Sequence, residues 1–145
     1  PFFGLKKQYN TLREQILSTT DEVLRSGILM NGNNTAEFEH WLAKKNRVQY
    51  AVTCHSGTQA LEIIAEYWRT QINRSNPKVF LPCFTFVATA NAFIRAGWDL
   101  HFIDTDAYGI IDDNKFPSSI EYDAVVLVGL YGNSITHSSQ VRSWN

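Results

Sequence analysis

Cysteine is nearly absent from this 145-residue chain: Cys54 and Cys83 are the only two. Each follows an apolar run expected to be a strand, and they lie far apart in sequence. They therefore form neither a disulfide framework nor a metal-ligand set, and the expectation is two small, semi-buried thiols in a reducing cytoplasm. Histidine offers no cluster either: His40, His55, His101 and His137 share no spacing, so no metal site is expected. An excess of one charge is missing as well, since 13 Lys and Arg stand against 14 Asp and Glu. That balance gives no basic footprint for nucleic acid. Long hydrophobic runs are lacking too: the stretch from Val79 to Ile94 is uncharged but interrupted by Pro82, Thr85, Thr89 and Asn91, so no membrane span is expected. The chain starts at Pro1 without methionine or a signal-peptide pattern, and Ser143-Trp144-Asn145 carries no tail signature, which reads as a piece of a longer gene product.

What is present is ordinary for a folded protein: 44% hydrophobic and 19% charged residues, with no internal repeat or linker. The length fits one domain, residues 1–145, with a core of its own. Leu12, Ile16, Val23 and Leu24 place one apolar face on a helix running from Leu12 to Ser26, which Gly27 stops. Ile28 to Asn34 mixes apolar residues with Asn and Gly and is expected to fold back on the protein as a loop. Asn34 or Thr35 then caps a second helix with Phe38, Trp41 and Leu42 on its apolar face.

From Tyr50 the rhythm changes. Short apolar runs (Tyr50 to Thr53, Val79 to Leu81, Leu100 to Ile103) alternate with helical segments that run to about Thr70 and from Thr85 to Arg95. Ala124 to Val128 is the most continuous strand candidate and is expected to be buried on both faces. This alternation predicts an α/β fold with parallel strands joined by crossover helices.

The turn Cys54-His55-Ser56-Gly57-Thr58-Gln59 joins the first of these strands to its helix. Small residues there let an anion approach the free N–H groups of the first helical turn, where the helix dipole favours negative charge, and Thr58 adds a hydroxyl. The same residues also cap a helix without any ligand. Ligands of an open parallel sheet gather at the carboxyl ends of its strands. Three loops qualify: Cys54 to Gln59, Pro82 to Thr89, and Gly129 to Asn133.

Several segments occur in order along the chain: Pro1-Phe2-Phe3-Gly4-Leu5-Lys6-Lys7-Gln8-Tyr9, Asn31-Gly32 followed by Glu37-Phe38-Glu39, Ser56-Gly57-Thr58-Gln59-Ala60-Leu61, Pro82-Cys83-Phe84-Thr85-Phe86-Val87-Ala88-Thr89, Phe102-Ile103-Asp104 and Leu130-Tyr131-Gly132. Together they resemble the DegT/StrS family of pyridoxal-phosphate-dependent sugar aminotransferases. The resemblance implies the N-terminal part of an aspartate-aminotransferase-type (fold type I) large domain, mostly parallel sheet, working in the cytoplasm as a homo-oligomer, a homodimer with active sites at the subunit boundary. It implies that Gly57, Thr58 and Gln59 hold the phosphate of pyridoxal 5'-phosphate, and that Phe86 stacks on the pyridine ring. Read without the resemblance, Phe86 is a plain core aromatic at the start of an apolar helix. Asn31 and Gly32 lie in the loop that, by resemblance, approaches the substrate or the neighbouring subunit; otherwise they are a turn. Tyr131-Gly132 borders the cofactor or ends a strand. Gly129 stands where the family usually carries histidine. Asp104 and Asp106 receive no catalytic role.

The implied substrates are a nucleotide-linked keto sugar and an amino donor, in cell-surface polysaccharide or glycosylated-metabolite synthesis, with neither nucleic acid nor membrane as partner. The reaction needs a Schiff-base lysine and a carboxylate on the pyridinium nitrogen. By resemblance both belong to segments downstream of this chain, and Lys6, Lys7, Lys44, Lys45, Lys78 and Lys115 match neither. The chain alone is therefore expected to be inactive and to bind the cofactor weakly or not at all. A non-catalytic phosphate-binding or regulatory module is the alternative, and a ligand-free structural fragment is a third reading. The resemblance also implies that the first strand pairs with strands from outside this chain, which leaves it without those partners.

Overall fold

The computed structural model describes residues 4–117 and 119–133. Pro1 to Phe3 of the N-terminal motif, and His137, lie outside the described residues. The chain forms two compact units, Pro1–Thr53 and Cys54–Asn145.

The first unit contains two helices. Helix α1, Leu5–Ser26, starts well before the expected Leu12, because Leu5, Tyr9, Leu12 and Ile16 continue the apolar i, i+4 spacing through good helix formers. It ends as expected: Gly27 takes a left-handed φ of 68° and its N–H donates to the Leu24 carbonyl. No residue of α1 is buried. Ile28, Leu29 and Met30 are exposed, so the loop does not fold back as expected. Helix α2, Asn33–Asn46, is capped by neither Asn34 nor Thr35; extended Gly32 precedes it, and its carbonyl accepts from Thr35 and Ala36. Phe38 and Trp41 stack with ring centres 5.9 Å apart, and both remain about half exposed.

The expected strand Tyr50 to Thr53 does not form. Its pattern is apolar, but a strand exists only where another backbone satisfies its ladder. None of the described strands pairs with it, and Val52 is 85% exposed. One side chain anchors its end instead: the Thr53 N–H and hydroxyl both donate to Glu39 Oε1, at 2.7 and 2.8 Å.

The second unit is built on a parallel three-stranded sheet. Helix α3 (Gly57–Gln71) precedes strand β1 (Lys78–Pro82), which is followed by α4 (Val87–Arg95), β2 (Asp99–Ile103) and, after an irregular stretch, β3 (Ala124–Val125). The order is β2-β1-β3, both neighbours parallel to β1, with Lys78 opposite Asp99 and Val79 opposite Ala124. Asp123 sets the start of β3: its Oδ2 accepts from the Lys78 N–H at 2.8 Å and from Arg74 at 3.2 Å.

Side chains alternate across β1. Val79 and Leu81 face a cluster with Ala65, Ala92 and Phe93 from helices α3 and α4 and with Trp98 from the turn before β2, whereas Phe80 faces Ile103 and Ile111 on the opposite side. Strand β1 is thus the one buried on both faces. Ala124 to Val128 was expected there, yet only Ala124 is buried and the paired register ends at Val125; among the described strands this segment has a partner on one side alone. Among the described residues, no helix is long and apolar enough to cross a membrane, and no group of His, Cys, Asp or Glu is placed to hold a metal.

Candidate functional site

The turn before α3 is shaped by its own side chains. Ser56 is the N-cap in extended conformation, and its Oγ accepts from the Gln59 N–H at 3.2 Å. Gln59 reaches back: its Oε1 accepts from the His55 N–H at 3.0 Å and lies 2.7 Å from His55 Nδ1. An amide oxygen only accepts, so this contact puts the ring proton of His55 on Nδ1. The Ser-x-x-Gln spacing is a capping box displaced by one residue, and it holds the turn rigid without a ligand.

That arrangement divides the three residues expected to bind phosphate. The Gln59 side chain is committed to the turn. The Gly57 and Thr58 N–H groups have no acceptor among the described residues, and Thr58 is exposed. A Cβ added at Gly57 would meet nothing within 4 Å, so open space adjoins this residue. Two unpaired donors and a hydroxyl at the positive end of a helix of 15 residues suit a phosphate.

Phe86 occupies the equivalent place on the next helix. It is the extended residue before α4, its carbonyl accepts from Thr89, and the Thr85 and Thr89 hydroxyls lie 3.0 Å apart behind it. Its ring is 71% exposed. The plain core reading is therefore excluded, and a face is open to a planar ring. Helices α3 and α4 pack together through Ala65, Ala92 and Phe93, with Arg95 paired to Glu62 at 2.9 Å. No bond links Gly57–Gln59 to Phe86; the structure sets them at the starts of two helices that share one core. Asn31 and Gly32 belong to the first unit, where Asn31 has a left-handed φ of 52°.

The unpaired N–H groups of Gly57 and Thr58 beside open space would suit the phosphate of a pyridoxal phosphate group, and the exposed Phe86 would suit its planar ring. Lys6 and Lys7 are on α1, Lys44 and Lys45 on α2, Lys78 opens β1 and Lys115 lies in the stretch before β3. Asp106 takes up the solvated-turn role, its Oδ1 accepting from the Tyr108 and Ile110 N–H groups at 2.8 and 3.0 Å. Both cysteines are exposed, against the semi-buried expectation, because each sits just outside an element's end. Sequence reasoning missed Glu39 as the anchor of Thr53 and His55 as Gln59's partner; the Ser56-to-Gln59 spacing was the available signal for the second.

Residues 10–143 match the DegT/DnrJ/EryC1/StrS aminotransferase family. A pleiotropic regulatory protein of Geobacillus stearothermophilus is 29% identical over 138 residues, covering 91% of this chain and 36% of that protein. The UDP-4-amino-4,6-dideoxy-N-acetyl-beta-L-altrosamine transaminase of Campylobacter jejuni is 29% identical over 136 residues, covering 90% and 35%. The structure of ntda from Bacillus subtilis with bound cofactor PMP superposes with a TM-score of 0.77 at 27% identity, covering 92% of this chain and 31% of that one. The chain thus spans about a third of the length of the curated relatives it matches. Its architecture is a partial aspartate-aminotransferase-type (fold type I) domain.

Proposed function

We propose, because this chain belongs to the DegT/DnrJ/EryC1/StrS aminotransferase family, that residues 1–145 form the N-terminal, phosphate-binding portion of a pyridoxal-phosphate-dependent aminotransferase acting on nucleotide-linked keto sugars. The observation that carries this reading is the capped turn at Ser56–Gln59, with the Gly57 and Thr58 N–H groups unpaired beside open space. When bound, pyridoxal phosphate supplies the electron sink for amino transfer. The chain's own residues bind and orient it. Gly57 and Thr58 hold the phosphate by backbone N–H groups and the Thr58 hydroxyl; Ser56 and Gln59 keep those donors aimed. Phe86 stacks on the ring, and an offset stack contributes about 0.5–1.5 kcal/mol beyond area burial.

None of the lysines lies on this turn or beside Phe86 in sequence, so the covalent and proton-transfer steps are assigned to other parts of the complete enzyme. The chain alone is accordingly inactive and holds cofactor weakly and non-covalently. In the complete enzyme the partners are an amino donor, a nucleotide-linked keto sugar and a second subunit, in the cytoplasm, with Asn31 and Gly32 in a loop that approaches the substrate or that subunit. Transaminases of UDP-linked sugars among the relatives support this substrate class. A regulatory, non-catalytic module is the second reading, favoured by the name of the Geobacillus relative.

Titration with pyridoxal phosphate tests the proposal. A saturable absorbance change, competed by inorganic phosphate and lost in Thr58→Ala, is expected. No response in the intact, folded chain would overturn it, and so would a lysine-linked adduct that borohydride fixes at one site.

A further inference from the structure

Tyr131 is held in a conformation its own chemistry disfavours. It follows β3 in a single turn, Leu130–Gly132, with φ 55° and ψ 24°. In that left-handed region Cβ crowds the following carbonyl, which glycine or asparagine tolerates and a bulky aromatic does not. The surroundings impose it. Gly132 and Asn133 N–H groups donate back to the Gly129 and Leu130 carbonyls at 3.1 and 3.2 Å. The Asn133 side chain donates to the Tyr108 carbonyl at 2.7 Å. A Cβ at Gly129 would lie 2.7 Å from the Asn133 carbonyl oxygen, so the turn closes this tightly only on glycine.

The strain returns nothing to folding. The Tyr131 side chain is 92% exposed and has neither a hydrogen bond nor an aromatic partner among the described residues. Strain kept at a residue that contributes no packing points to function. Its location agrees: it follows β3, which pairs with β1 on the side opposite β2, so its loop leaves the carboxyl end of the sheet where the strand order reverses. The same loops carry two more exposed rings. Phe84, after β1, rests on Gly109, whose added Cβ would lie 3.2 Å from its Cδ1, and Tyr108, after β2, is tied to Asn133. These two contacts link the three strand-end loops, each of which carries an exposed ring.

We propose that Tyr131 is the stacking contact for the nucleobase of a nucleotide-linked sugar. The inference rests on the substrate class proposed above. A flat, solvent-facing phenol suits a heterocycle, which offers a π-face to the ring and polar edges to the hydroxyl. An exposed place suits the part of the substrate farthest from the reacting carbon.

Saturation-transfer NMR and affinity titration with UDP-N-acetylglucosamine test this on the full chain. Uracil protons should receive saturation in the wild type and in Tyr131→Phe. Tyr131→Ala should weaken affinity about five- to a hundred-fold, the range that one lost base stack represents. Tyr131→Gly should raise the thermal midpoint while losing the uracil signal, which separates relief of strain from misfolding. Equal affinity in Tyr131→Ala, or no uracil signal in a folded wild type, overturns the proposal. If pyridoxal phosphate still titrates in that case, the cofactor reading survives alone; a Tyr131-dependent uracil signal without a cofactor response is the converse.

Discussion

Trp98 Nε1 donates to the backbone carbonyl of Ala65 at 3.1 Å, inside the core formed by α3, α4 and β1. Trp98 precedes β2 and stacks edge-on against Phe93 at 5.5 Å, so this bond pins the middle of α3 to the sheet layer. The donors at the start of α3 are only as well placed as this helix. Replacing Trp98 by Phe removes one buried hydrogen bond, leaves the Phe93 contact, and should cost about 1–3 kcal/mol. Trp98→Ala should cost about 3–5 kcal/mol. Urea melts of the two variants give the comparison, and an unchanged midpoint in Trp98→Phe would show that the bond contributes nothing.

At the turn, stability and binding should separate. Ser56→Ala removes the cap on the Gln59 N–H and should cost about 1 kcal/mol. Gly57→Ala meets nothing within 4 Å and should gain a few tenths of a kcal/mol from reduced unfolded-state freedom. If phosphate closes on this residue, the more stable Gly57→Ala chain binds pyridoxal phosphate less well. Parallel melts and titrations read both quantities.

The first unit should loosen in acid. Two hydrogen bonds from Thr53, the backbone N–H first and the hydroxyl second, hold the Glu39 carboxyl below its usual value of 4.5. A depressed acid adds stability above its unfolded pKa, and that contribution is lost as pH falls through the lower folded pKa. The Thr53 amide should therefore lose protection from hydrogen exchange as pH drops below the ordinary carboxylate range. In Glu39→Gln the same profile should be flat across that range.

Gly129→Ala puts a Cβ against backbone that has no flexible end to give way. It should open the Leu130–Gly132 turn and break the Asn133 to Tyr108 bond, at about 1–3 kcal/mol, the range for overpacked sites. Loss of the Asn133 side-chain amide's distinct NMR shifts would mark the break; an unchanged spectrum would show that the turn tolerates a side chain.

Much of the second unit is readable along the chain, because its elements are local. Apolar residues at helical spacing around Ala65 and the run at Val79 to Leu81 each state their own period. The cap at Ser56 is likewise a matter of residues three apart. What failed were segments whose state depends on a partner. Tyr50 to Thr53 has strand composition and no ladder, while Ala124 to Val128 has it and pairs for two residues only. The acceptor role of Glu39 has no signal along the chain, since it appears only when Thr53, fourteen residues on, comes alongside.

Sequence by itself determined the α/β class, the family, the turn that starts α3 and the aromatic that starts α4, since each is written in neighbouring residues and their periodicity. Tertiary structure alone decided that Gln59 is spent on the turn while Gly57 and Thr58 stay free, that Phe86 is open to solvent, and that Tyr131 is forced left-handed by Gly129 and Asn133. Those outcomes depend on which donor finds which acceptor and on where a backbone oxygen leaves no room for a Cβ, and both are properties of atoms brought together in space.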